Sequence, residues 1–97
     1  MPMLEPDINK RFGLVIRQWR LKASLSQEEL AARAGLHRTY VSDVERGRRN
    51  PSLQSIAKLT NALKVSVSVL FQTMEGACDP AANLLAAEKK DGKANPG

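Results

Sequence analysis

The sequence predicts an all-α fold of five short helices and no sheet. Three observations carry this. Apolar residues recur at helical spacing, first at Ile8, Phe12, Val15, Ile16 and Trp19 and again at Leu53, Ile56, Leu59 and Leu63. Asp7, Ser26, Ser52 and Ser66 stand just ahead of helical stretches, where a side-chain oxygen can cap a helix start. Gly35 and Gly47 stand just behind two of them, where the chain must turn left-handed to leave a helix.

In order, residues 1–6 read as a short leader with two prolines, 7–74 as one folded domain and 75–97 as a mobile tail. The first helix starts after Asp7 and fades near Ala23. Its stripe is core, with Phe12 and Trp19 as the aromatic members, while Lys10, Arg11, Arg17 and Gln18 lie off it. The second helix runs from Gln27 to Ala34. Ser26, three residues before Glu29, is a capping-box signature. Leu30, Ala31 and Ala34 face inward, and the small alanines allow a neighbouring helix to come close. Gly35-Leu36-His37 is too short for anything but two helices packed at a steep angle.

The third helix runs from Arg38 to about Arg46. At ~100° per residue, Arg38, Thr39, Ser42, Asp43 and Arg46 share an arc of roughly 140°. Tyr40, Val41, Val44 and Glu45 take the opposite side. Gly47 ends this helix, and the basic loop Arg48-Arg49-Asn50-Pro51 follows. Ser52 caps a fourth helix that ends at Leu63-Lys64-Val65. Ser66 caps a fifth that carries Val67, Leu70 and Phe71. With Val65, these residues are more apolar than one small core needs, so Val65, Val67, Leu70 and Phe71 are the expected dimer contact. Core packing alone is the other reading. In the tail, Asp79-Pro80 offers a start for a short helix through Leu84 and Leu85, with few apolar residues behind it.

Ninety-seven residues make a single small domain, and one modest core leaves room for a further face to be buried in a partner. The formal charge is +5. Residues 1–50 hold ten Lys and Arg against six Asp and Glu, whereas residues 51–97 hold five against four. Positive charge gathered on one part of a small domain suits a phosphate backbone. The single cysteine, Cys78, excludes an intrachain disulfide. One cysteine and one histidine cannot complete a structural zinc site, so no metal and no cofactor are expected. There is no apolar run of ~18 residues, hence no membrane span, and no basic-then-apolar leader. The expected compartment is the cytoplasm.

The runs SQEELAARAG, TYVSDVERGRRNPSL and ALKVS resemble the helix-turn-helix of the lambda/434 repressor-like superfamily, the Xre family. The resemblance spans roughly Ile8 to Phe71. HRTYVSDVERGRRNPS is also similar to the controller proteins of restriction–modification systems. The resemblance implies a five-helix lambda repressor-like DNA-binding domain and a transcriptional regulator of double-stranded DNA. It also implies that Glu45 pairs with Arg20 on the first helix. Such a pair fixes helix orientation more surely than it adds stability.

A major groove admits a helix whose polar face meets base edges, so Arg38, Thr39, Ser42, Asp43 and Arg46 are the expected base contacts. Arginine reads guanine in bidentate fashion, threonine meets a thymine methyl, and serine donates or accepts. Arg46 sits where the helix can climb out of the groove and leave it on the backbone. A carboxylate near phosphates is unfavourable, which leaves Asp43 three roles: accepting from a cytosine amino group, orienting Arg38 or Arg46, or rejecting wrong sites. Expected backbone contacts are Arg48, Arg49 and Asn50 in the loop, and Gln27 at a helix N-terminus that favours phosphate. Tyr40 joins them by analogy with the family, its ring packed and its hydroxyl reaching out.

The leading reading is therefore a DNA-binding regulator working as a homodimer on a pseudo-palindrome. It would repress, activate near RNA polymerase, or do both. An antitoxin-type module that neutralises a partner and also binds DNA is the alternative. An enzyme is disfavoured: His37, Ser42 and Asp43 are present, but His37 and Ser42 are five apart and point differently on a helix, and no phosphate-cradling glycine loop or metal-ligand cluster appears.

Overall fold

The computed structural model describes residues 7–76. They form five helices: α1 (Ile8–Lys22), α2 (Gln27–Ala34), α3 (Arg38–Glu45), α4 (Leu53–Leu63) and α5 (Val67–Met74), with no strand among the described residues. The expected leader, Cys78, the Leu84–Leu85 stretch and nearly all of the expected tail lie outside the described residues.

Four of these five helices begin where the sequence offers an oxygen. Asp7 accepts from the Asn9 N–H, Ser26 from Glu29, Ser52 from Ser55 and Ser66 from Val69. Only α3 lacks a side-chain cap, since His37 makes no such bond. Each exit passes through a left-handed residue: Ser24, Gly35, Gly47, Lys64 and Gly76. At the first four, the next N–H reaches back to a carbonyl five residues earlier, as in Leu36 to Ala31 (2.9 Å) and Arg48 to Asp43 (2.8 Å). That bond satisfies a carbonyl the helix end would leave unpaired.

Ile16, Leu30, Val41, Val44, Leu59 and Leu70 are fully enclosed. Each contributes about 1.5–3 kcal/mol relative to an exposed side chain. Helix α1 packs against both α3 and α5. The indole N–H of Trp19 donates to the Thr73 hydroxyl (3.2 Å), which donates to the Val69 carbonyl (3.0 Å), so neither polar group is buried without a partner. The Arg11 guanidinium donates to the Met74 carbonyl (3.2 Å) and fastens the far end of α5 to α1.

Three sequence expectations change. Ile8 and Leu53, read as members of inward stripes, are 59% and 82% exposed. Each is the first residue of its helix, a turn ahead of the first residue that reaches the core, Phe12 and Ile56. Leu70, expected at the dimer contact, is 0% exposed and belongs to the core of the single chain. It sits on the face of α5 turned inward, so no second chain can touch it without opening the domain.

Candidate nucleic-acid interface

The helix pair α2–α3 presents the site, and the frame that holds it is built from α1. The first turn of α2 is locked by a reciprocal cap. The Glu29 N–H donates to the Ser26 hydroxyl (3.0 Å), and the Ser26 N–H donates to the Glu29 carboxylate (2.8 Å). That backbone hydrogen bond, helped by the Ser26 side chain and by Arg33, holds the Glu29 carboxyl below its ordinary value. Gly35 then turns the chain at φ +70°. A side chain there would meet no neighbour, so its glycine answers to backbone conformation alone.

Helix α3 is fixed by its buried side. Val41 and Val44 are enclosed, and Glu45 is buried beside them. Arg20 donates from Nε to Glu45 Oε2 (2.6 Å) and from Nη2 to Glu45 Oε1 (3.0 Å). Its Nη1 donates to the Leu25 carbonyl (2.9 Å), tying α1 to the α1–α2 connection as well. Gln27 donates to Glu45 Oε1 (3.0 Å), so one carboxylate joins α1, α2 and α3. This fork geometry is the strong form of an arginine–carboxylate pair.

Gly13, which the sequence reading passed over, is the other fixture. A Cβ on Gly13 would lie 2.2 Å from the Val44 carbonyl oxygen and 2.7 Å from that of Glu45. The α1 backbone therefore rests directly on the last turn of α3. A lone glycine inside an apolar helical stripe was the available signal. Gly47, at φ +77°, has the Lys10 backbone 2.8 Å from where its Cβ would be, so the exit of α3 is pressed against α1 too.

On the outer side, Arg38 and Thr39 are exposed and Ser42 and Asp43 are half-buried, all on one face. Arg46 is the residue after the helix and is exposed. Asp43 pairs with neither Arg38 nor Arg46. It lies 3.5 Å from the Arg49 guanidinium, which also sits over the Tyr40 ring, 5.1 Å from its centre. The orienting role considered for Asp43 is thus directed at the loop arginine. Tyr40 is half-buried with its ring against the core, and Arg48, Arg49 and Asn50 are exposed beside it. Among the described residues no group of His, Cys, Asp and Glu could hold a metal ion, and no helix is long and apolar enough to cross a membrane.

Of the residues expected at a dimer contact other than Leu70, Val67 is 43% exposed. Val65 and Phe71 are half-buried, and the Phe71 ring lies 6.1 Å from that of Phe12.

Comparison with known proteins places this architecture. The helix-turn-helix family model matches residues 16–70. The control protein C.BamHI of Bacillus amyloliquefaciens is 48% identical over 75 residues, which cover 75% of this chain and 93% of that protein. The crystal structure of the restriction-modification controller protein C.AhdI from Aeromonas hydrophila superposes with a TM-score of 0.64 at 46% identity, over 65% of this chain and 96% of that one. The controller protein C.Esp1396I, as a tetramer in complex with its natural 35 base-pair operator, superposes with a TM-score of 0.69 at 33% identity, over 75% of this chain and 96% of that one. The chain belongs to the Xre-like helix-turn-helix family of DNA-binding transcription regulators, and its similarity to the restriction–modification control proteins extends over three quarters of its length.

Proposed function

We propose that this chain is a controller-like regulator that binds a specific double-stranded DNA operator as a homodimer in the cytoplasm. The observation that carries this is the mounting of α3. Its polar face is open while its other side is clamped by Val41, Val44 and the Arg20–Glu45–Gln27 junction. A helix held this firmly can deliver side chains to base edges without a large ordering cost. Arg38 reads a guanine, Thr39 a thymine methyl, and Ser42 a neighbouring base edge. Arg48, Arg49, Asn50, the Tyr40 hydroxyl and the first turn of α2 at Gln27 take phosphates and set the register. Asp43 keeps Arg49 in place over Tyr40 and screens its own charge from the backbone.

One such domain offers few base contacts, so two copies on a pseudo-palindrome supply the affinity. The apolar surface left outside the single-chain core supplies the dimer contact: Val65, Val67 and Phe71, with Leu53 at the start of α4. The relatives named as control proteins, and the controller tetramer bound to its own operator, support the reading. Occupancy of such an operator would block or recruit RNA polymerase, according to where the site lies.

Selection of bound duplexes from a random DNA pool tests this. The expected product is an inverted repeat whose half-site centres lie about one helical turn, roughly 10 base pairs, or a multiple of it apart. A pool that shows no enriched sequence, or only isolated half-sites, contradicts the proposal.

A further inference from the structure

Helix α1 carries a second stripe. At ~100° per residue, Lys10, Leu14, Arg17 and Leu21 lie within about 60° of one another, opposite the core stripe through Phe12 and Ile16. All four are exposed, Leu14 at 57% and Leu21 at 55%. The two leucines stand two turns apart, about 10 Å along the axis. An outward helix face is ordinarily polar, and a leucine pair in register on it offers a contact. The charge of the stripe is one-sided. Helix α1 contains no Asp or Glu, and no ion pair among the described residues engages Lys10 or Arg17. A second copy of the stripe would meet it with the same sign, which disfavours self-association here. Helix α5 delivers the chain to this surface. Arg11 Nη2 donates to the Met74 carbonyl (3.2 Å) and lies 3.9 Å from the Glu75 carboxylate. Gly76 turns left-handed just after, at φ +80°. Residues 77–97 therefore set out from beside the first half of α1.

We propose that residues 79–88 of the same chain pack on this stripe as a short helix. Asp79-Pro80 is a helix start on sequence grounds, a capping oxygen followed by proline at the first position. At helical spacing Ala81, Leu84, Leu85 and Glu88 share an arc of about 100°. So short a segment does not hold a helix in water unaided. Its leucines need an apolar partner, and Glu88, on the same face, needs a cation. Leu14 and Leu21 supply the first, and Arg17, between them, supplies the second. Lys10 is left to face Asp79, and the segment brings no Lys or Arg of its own to oppose either cation. The chain reaches. Four Cα steps from Gly76 to Pro80 span at most about 14 Å, against about 8–10 Å between the axes of packed helices. Running parallel to α1, the segment advances ~12 Å from Pro80 to Glu88, close to the spacing of the two leucines. Docking takes both leucine pairs out of water. The proposal stands apart from the DNA-binding reading, and it gives an ordered place to part of the tail that composition reads as mobile.

The test uses the full chain without DNA, its leucine methyls labelled for NMR. The methyls of Leu14 and Leu21 should show nuclear Overhauser contacts to those of Leu84 and Leu85. In a mixture of labelled and unlabelled chains these contacts should stay within one chain. Amides of residues 82–88 should exchange at least about tenfold more slowly than in a free peptide of the same sequence. Leu14→Gln combined with Leu21→Gln should abolish that protection. Both side chains are exposed, so the amides of the core helices should keep theirs. Arg17→Glu should also lower the protection, and Glu88→Arg added to it should restore it, a rescue that a merely local disturbance of α1 would not give. Missing contacts, or exchange of residues 82–88 at the rate of the free peptide, overturn the proposal. Contacts that run only between chains overturn it too, because a second copy then covers the stripe. Protection that survives the loss of both leucines places the segment elsewhere and has the same consequence.

Discussion

Glu45 ties three helices together through one side chain. Its carboxylate meets groups from α1 and α2, and it sits in the last turn of α3 with its side chain 4% exposed. Removing one partner of so enclosed a pair strands the other charge, which costs about 3–5 kcal/mol. Glu45→Gln and Arg20→Met should each lower unfolding free energy by about that much in urea titrations. A loss below about 0.5 kcal/mol in both would show that solvent reaches the site and that the pair is not structural. The partner of Glu45 came from family likeness, because a glutamate at the edge of a buried arc announces an unusual environment without saying what fills it. Gly13 gave a fainter sign. A glycine in an amphipathic helix disturbs no periodicity, and its need for bare backbone arises only where α3 crosses α1 at contact distance. The sequence leaves Asp43 three roles for a similar reason: its neighbour Arg49 arrives through the fold of the loop after Gly47.

The helices themselves were legible, since capping oxygens and left-handed exits are local and each works through residues adjacent in sequence. Their starts, and the ends that the sequence offers for the first four, fall within a residue of where the sequence places them. What periodicity could not convey is how far each stripe is covered. Ile8, Leu53 and Val67 all open helices on their apolar stripes, and all are exposed. The exits also contain an imperfection. Lys64 takes the left-handed conformation at φ +62°, where an L side chain costs about 1–2 kcal/mol and glycine costs nothing sterically. Glycine's looser unfolded chain offsets part of that by about 0.5–1 kcal/mol. Lys64→Gly should therefore stabilise the domain by about 0.5–1 kcal/mol in thermal unfolding. A destabilised variant would mean that the Lys64 side chain holds something at the α4–α5 corner.

For the molecule as a whole, the question is what meets the apolar surface outside its core. A two-fold contact brings identical patches together, so a charge placed on one copy faces the same charge on the other. Val67→Glu should weaken dimerisation at least roughly tenfold in sedimentation equilibrium and leave helical content unchanged. A wild-type chain that stays monomeric at high micromolar concentration would contradict the dimer, and a dimer indifferent to Val67→Glu would place the contact elsewhere. The uneven distribution of charge was readable from composition. Its organisation was not, because Arg38, Arg46 and Arg48 lie within eleven residues yet stand at the start of α3, just past its end and in the loop that follows.

If the outer face of α3 reads bases while the loop after Gly47 holds the backbone, titrating Arg38→Ala and Arg48→Ala against the selected duplex and a scrambled one over a range of salt will separate the two. Arg38→Ala should lose about 1–3 kcal/mol on the selected duplex, relax the preference at one base pair, and change little on the scrambled one. Arg48→Ala should lose equally on both and flatten the salt dependence by about one unit for each phosphate contact removed in a half-site. Equal losses from Arg38→Ala on both duplexes, together with an altered base preference in Arg48→Ala, would mean that the loop reads the sequence and α3 does not.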